Sequence, residues 1–209
     1  MNTFVEVAIL LCYMTLAIEL TLLHVPSVSS FRSIWLANDE LVALHSGKYR
    51  RLFQLSKAAK LVFFLPPLAV VYAVFLHPLA TVLLPQYQPF ESVYEPRLTA
   101  QIAAIAMAIT GRVTSLYSVV SLVRSRKSTQ FENLLTNGIF GHSRNPGLVG
   151  MYAMFIGFWL AMPSWEFLLG VVWYFLYMNF KVNMEEDYLA NKHGREYELY
   201  RENSARYIF

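Results

Sequence analysis

Two short segments carry residues whose types and spacing suit chemistry. The first is 138–150, Gly-Ile-Phe-Gly-His-Ser-Arg-Asn-Pro-Gly-Leu-Val-Gly, which joins a polar stretch to an apolar one. Asn145 is a favoured N-cap and Pro146 suits the first position of a helix, so a helix should begin there with the backbone N–H groups of Gly147 and Leu148 free. A helix N-terminus attracts anions through such amides and its dipole. Gly147 leaves the approach open, and Arg144 and His142 stand nearby, so a carboxylate or phosphate could be held here. Equally open on local physics is a plainer role, a capped helix with a basic residue at the lipid headgroups. The second segment is Glu185-Glu186-Asp187. A carboxylate accepts two hydrogen bonds at once and so matches a hydroxyl pair such as a ribose edge; the alternative is a solvated helix start.

Arg112 is a third candidate, because it stands inside an apolar stretch where a charge is costly and normally faces a partner or a water-filled cavity. Glu19, in an earlier apolar stretch, offers an ion pair; an anionic substrate offers the functional reading. Gln101, Thr110, Thr114 and Ser118 make the same stretch polar enough to line a cavity. Ala153, Gly157 and Ala161, four apart, read as a close-packing stripe. His24, His45 and His77 lack ligand spacing and Cys12 is the only cysteine, so neither a metal site nor an internal disulfide is expected.

The elements that must position these residues are membrane helices. Of the 209 residues 56% are hydrophobic and 15% charged, a composition suited to a bilayer. Five stretches approach the ~20 apolar residues that a spanning helix needs: 4–25, 58–77 and on toward 84, 98–123, 147–162 and 165–180. The last two form a hairpin turned by Met162, Pro163 and Ser164, with serine able to cap the returning helix. Basic residues mark the sides. Loop 26–57 carries Arg32, Lys48, Arg50, Arg51 and Lys57, whereas loop 78–96 has no lysine or arginine and carries Glu91 and Glu95. Arg124, Arg126, Lys127 and Arg144 follow, and the tail adds Lys181, Lys192, Arg195, Arg201 and Arg206. Because such residues stay in the cytoplasm, an external N-terminus and a cytoplasmic C-terminus are expected. The same scatter in blocks, with a net charge of only +3, excludes a nucleic-acid surface. The whole chain, 1–209, reads as one all-α membrane domain, with N-terminal membrane helices over 1–125. Residues 183–207 read as two short helices broken at Gly194, an amphipathic tail lying against the cytoplasmic mouth of the bundle.

Residues 133–207 resemble the isoprenylcysteine carboxyl methyltransferase family and the related phospholipid methyltransferases. A glycine-bearing turn, an aromatic and Arg-Asn-Pro opening a membrane helix match as Gly138, Phe140, Arg144, Asn145, Pro146 and Gly150. After a two-helix hairpin, Glu185, Glu186, Leu189, Gly194, Tyr197 and Tyr200 match the family's acidic pair, leucine, glycine and spaced tyrosines. Asn145 stands where many relatives have histidine, Leu148 replaces a common tyrosine, and Lys181 lies where arginine is frequent.

The resemblance implies S-adenosylmethionine as cofactor, enclosed between the helix that starts at Pro146 and the Glu185–Glu186 helix. Its cofactor site would draw on Gly138, His142, Asn145, Pro146, Gly147, Leu148, Gly150, Glu185, Glu186, Leu189, Tyr197 and Tyr200. Arg144 is the expected catalytic residue, orienting an acceptor carboxylate, and Arg112 the expected substrate-binding residue. The expected partners are membrane lipids and a lipophilic acceptor that enters from the bilayer, a prenylcysteine carboxylate first. A phospholipid amine, a small thiol, an NADPH-dependent sterol-type reduction and a non-enzymatic interaction protein are the alternatives.

Overall fold

The computed structural model describes residues 2–22, 30–37, 39–84, 86, 92–127 and 134–208. His24 and Glu91 lie outside the described residues, as do the side chains of Lys48, Arg126 and Lys127. The described chain is helical, with no strand beyond one isolated bridge between Ser143 and Ala205. It runs α1 (Thr3–Leu22), α2 (Phe31–Trp35), α3 (Asp39–Ala43), α4 (Gly47–Phe53), α5 (Lys57–Leu83), α6 (Leu98–Lys127), α7 (Ile139–His142), α8 (Pro146–Ala161), α9 (Trp165–His193) and α10 (Arg195–Asn203).

Helices suit a bilayer, since every backbone polar group in hydrocarbon must be satisfied by the protein and a helix does so within its own segment. Among the described residues three helices are long and apolar enough to cross: Thr3–Thr21, Lys57–Leu83 and Leu98–Ser125. The other two expected spans differ from a simple crossing. α8 is apolar but has only 16 residues. α9 has 29 residues and does not stop near 180, so the first of the two expected tail helices is its continuation. Hydropathy falls beyond Phe180, but no residue there breaks the backbone hydrogen bonding until Gly194, whose φ of 54° ends the helix. The break at Gly194 and α10 after it are as expected. So is the hairpin turn, with Ser164 Oγ accepting from Phe167 N–H at 3.2 Å.

Small residues decide which helices touch. α8 packs most closely on α6, running antiparallel to it, and not on its hairpin partner α9. A Cβ added at Gly150 would lie 2.3 Å from the Gly111 carbonyl oxygen, and one at Gly157 would lie 2.5 Å from that of Ala104. The stripe through Ala153, Gly157 and Ala161 therefore faces another helix than the hairpin geometry suggests. Phe155 and Phe158 fill the core between α8 and the remaining helices, against Val5, Ile9, Val71 and Val74.

The loop 26–57 is the largest surprise. It holds α2, α3 and α4, and Ile34, Tyr49 and Phe53 bury a second cluster with Phe64 of α5 and Met184 of α9. Lys60 Nζ donates to the Ile34 carbonyl at 2.8 Å, tying α2 to the start of α5. Charge marks this loop as cytoplasmic, but helices of five to seven residues are too short for their apolar residues to show a helical period.

Candidate functional site

Where α8 begins, the chain makes the expected turn with different bonds. Gly138 caps α7 with φ 64°, a conformation that favours glycine. Phe140 is buried, and its carbonyl accepts from Tyr200 Oη at 2.8 Å, which fixes α10 beneath the turn. Asn145 is the N-cap of α8 and Pro146 its first residue, as read from the sequence. The Asn145 side chain, however, does not cap: Nδ2 donates to the Arg206 carbonyl at 3.0 Å. Nor is the Leu148 N–H free, since it donates to the Asn145 carbonyl at 3.1 Å. Gly147 faces α6, where an added Cβ would meet Ser118 Oγ at 3.1 Å, and Gly150 faces α6 as well. These two glycines let helices approach; the open path to a ligand expected at Gly147 is taken up by α6. His142 is exposed at the end of α7, and Leu189 is half-buried on α9.

Arg144 is the centre of the arrangement. Its Nη2 and Nε lie 3.2 and 3.3 Å from Glu186 Oε1. Nη1 donates to the Arg201 carbonyl at 3.0 Å and to the Ser204 carbonyl. The Arg144 backbone N–H donates to the Ala205 carbonyl at 2.8 Å. Glu186 is shared with a second guanidinium: Arg206 Nε donates to Oε1 at 3.2 Å and Nη2 pairs with Oε2. Tyr197 and Tyr200 lie buried beside this junction, their ring centres 6.2 Å apart. Burial pushes the Tyr197 hydroxyl up to about 12, with the Glu186 charge adding to it, so both tyrosines remain neutral donors near pH 7.

The three adjacent acids thus have three surroundings. On a helix of 3.6 residues per turn, neighbours point about 100° apart. Glu186 meets the guanidiniums, whereas Asp187 accepts from the Ser46 N–H at 2.9 Å and from Ser46 Oγ, and stands 3.3 Å from His45 Nδ1. Glu185 neighbours Lys181 on the same helix. Arg112 is placed elsewhere. Its Nη2 is 2.6 Å from Glu19 Oε2 and its Nε donates to Thr15 Oγ1 at 2.9 Å, so the structure realises the ion pair between α6 and α1. Thr110 and Thr114 bond back to their own helix carbonyls, and Thr110 is exposed, so they do not extend a cavity around Arg112.

The sequence reading missed Ser143, Ala205, Arg206 and Tyr207. Tyr207 Oη donates to Asn179 Oδ1 at 3.0 Å, and its ring lies 6.0 Å from Tyr152 and 6.2 Å from Phe175. No local pattern marks these residues; the one signal is Arg206 itself, a second cation available to an acidic pair. Among the described residues no group of three metal-ligating side chains occurs.

Interlocked apolar helices, with a junction of acidic and basic side chains where α8, α9 and the tail meet, define the class as a helical membrane protein. Residues 99–196 match the family model described as phospholipid methyltransferase, a family related to the isoprenylcysteine carboxyl methyltransferases. The match runs from α6 through α9 and bears out the expected class, a membrane methyltransferase. Neither the curated proteins nor the solved structures produced a match to this chain.

The residues at the junction suit S-adenosylmethionine in kind. Guanidinium donors complement its carboxylate, a carboxylate complements its ribose, and two buried tyrosines stand beside them. In the arrangement described, those donors and acceptors are bonded to one another.

Proposed function

We propose that this protein transfers the methyl group of S-adenosylmethionine to a lipophilic acceptor drawn from the bilayer. The observation that carries the reading is the Arg144–Glu186 pair, which joins the start of α8 to α9 within the matched segment. Arg144 or the exposed His142 is suited to the cofactor's carboxylate and Glu186 or Glu185 to its ribose. When bound, the cofactor supplies an electrophilic methyl on a sulfonium. The chain's own residues then have to align the acceptor for in-line displacement and keep water out, and such positioning provides most of the acceleration.

A prenylcysteine carboxylate is the acceptor this chemistry suits first, because a carboxylate needs no general base and Asn145 supplies none. A phospholipid amine is the second reading, favoured by the family description itself. The positive loops support a cytoplasmic site with the N-terminus on the opposite side. The test is transfer of labelled methyl from S-adenosylmethionine by the protein in vesicles. A farnesylcysteine analogue and phosphatidylethanolamine are supplied separately. Label in the first confirms the carboxylate acceptor, label in the second the amine, and label in neither refutes the proposal.

A further inference from the structure

Residues 204–207 lie beyond the matched segment, yet they hold the partners that the cofactor would need. The Arg144 N–H is bonded to the Ala205 carbonyl, Arg144 Nη1 to the carbonyls of Arg201 and Ser204, and Asn145 Nδ2 to the Arg206 carbonyl. Arg206 meets both oxygens of Glu186. A carboxylate has about four lone-pair sites, and Glu186 receives donors from Arg144 Nε, Arg144 Nη2, Arg206 Nε and Arg206 Nη2. With three of these donors on Oε1 and one on Oε2, the hydroxyl pair of a ribose edge can reach Glu186 only by displacing a guanidinium. An anion can reach Arg144 Nη1 only by displacing tail carbonyls.

We infer that Ser204–Tyr207 is a strap that competes, from within the chain, for the cofactor site and must swing away before the cofactor binds. The strap imitates both halves of the ligand. Its carbonyls take the donors suited to a carboxylate, and its Arg206 takes the carboxylate suited to hydroxyls. Tyr207 anchors the far end through Asn179 and by ring contact with Tyr152 and Phe175. Release exposes Arg144, Glu186 and that aromatic floor together, so opening is one event. Apparent affinity is then the intrinsic affinity reduced by the fraction of molecules that are open. This inference rests on the cofactor reading above.

Ser143 and Ala205, opposite one another in the isolated bridge, allow a reversible test. In the full-length Ser143→Cys, Ala205→Cys protein, a disulfide should hold the strap shut; the native Cys12 is buried in α1 and does not interfere. Calorimetry with S-adenosylhomocysteine should show affinity at least about tenfold weaker in the oxidised form and recovery on reduction. A second variant, Tyr207→Phe, loosens the anchor while keeping the ring, and should tighten binding about two- to tenfold, the value of one hydrogen bond. Hydrogen exchange at the Arg144 amide should speed up when S-adenosylhomocysteine is added to the unmodified protein. Equal affinity in the oxidised and reduced forms would overturn the strap and leave the cofactor reading standing. Binding in neither form, nor in the unmodified protein, would overturn both.

Discussion

Arg144 and Glu186 stand 42 positions apart in sequence and meet at 3.2 Å, joining the residue before the N-cap of α8 to the polar half of α9. Both side chains are largely buried. Removing one partner therefore strands the other's charge, and coupling between them should be measurable. Thermal unfolding of Arg144→Ala, Glu186→Ala and the double variant is expected to give an interaction energy of about 0.5–3 kcal/mol. Strict additivity would mean the contact contributes nothing. Glu186→Gln should also weaken S-adenosylhomocysteine binding by about 1.5–3 kcal/mol if the carboxylate meets ribose hydroxyls.

Arg144→Lys separates two roles. Lysine keeps the charge but loses the fork that spans Glu186 and the tail carbonyls. An Arg144 that orients the acceptor predicts lower turnover with nearly constant cofactor affinity. An Arg144 that serves the cofactor predicts a rise in cofactor Kd, and the Glu186 contact favours this second outcome. Methylation kinetics with both substrates varied decide between them.

The Arg112–Glu19 pair should behave as structure. Glu19→Gln leaves a buried guanidinium without its counter-charge and is expected to cost about 3–5 kcal/mol, read as a lowered Tm in detergent. Replacing both residues with leucine should recover most of that loss, and cofactor affinity should not change. If the doubly substituted protein folds but no longer turns over, Arg112 binds substrate after all.

Gly150 tests the helix interface. A methyl there would press on the Gly111 carbonyl and on the backbone of Ser115, so α6 and α8 would have to separate. Gly150→Ala should cost about 1–3 kcal/mol, as overpacking does. Gly141→Ala, whose nearest contact would be the Thr136 carbonyl at 3.2 Å, should be far milder. Equal Tm changes would show that the close approach is not needed.

Acid should loosen the cluster around His45. His45 stacks on Phe53 with ring centres 4.4 Å apart, and burial lowers its pKa from the usual 6.5 despite the neighbouring Asp187. The unfolded chain therefore binds a proton that the folded chain resists, so stability is greater above pH 6.5 and declines as pH falls below it. Tm measured at pH 7.5 and 5.5 should drop more for the native protein than for His45→Gln. A parallel drop in both would remove His45 as the cause.

What the sequence by itself determined were properties set locally. Hydropathy marks a helical membrane protein, because continuous apolar stretches of about 20 residues fit a spanning helix and exceed a barrel strand. Pro146 starts α8, residues 162–164 turn the hairpin, and Gly194 ends α9, since each acts through its own backbone geometry. Even the Arg112–Glu19 pair was legible, because an apolar stretch leaves a charge few partners. The helix end expected near 180 was misplaced for the same reason in reverse: loss of hydropathy ends a span, not a helix. Tertiary structure alone decided that Gly147 and Gly150 face α6, that Glu186 and Asp187 serve different neighbours, and that residues 204–207 close over Arg144. Those outcomes depend on how helices rotate and cross, and on contacts between residues 20 to 141 positions apart, for which no spacing in the chain carries a signal.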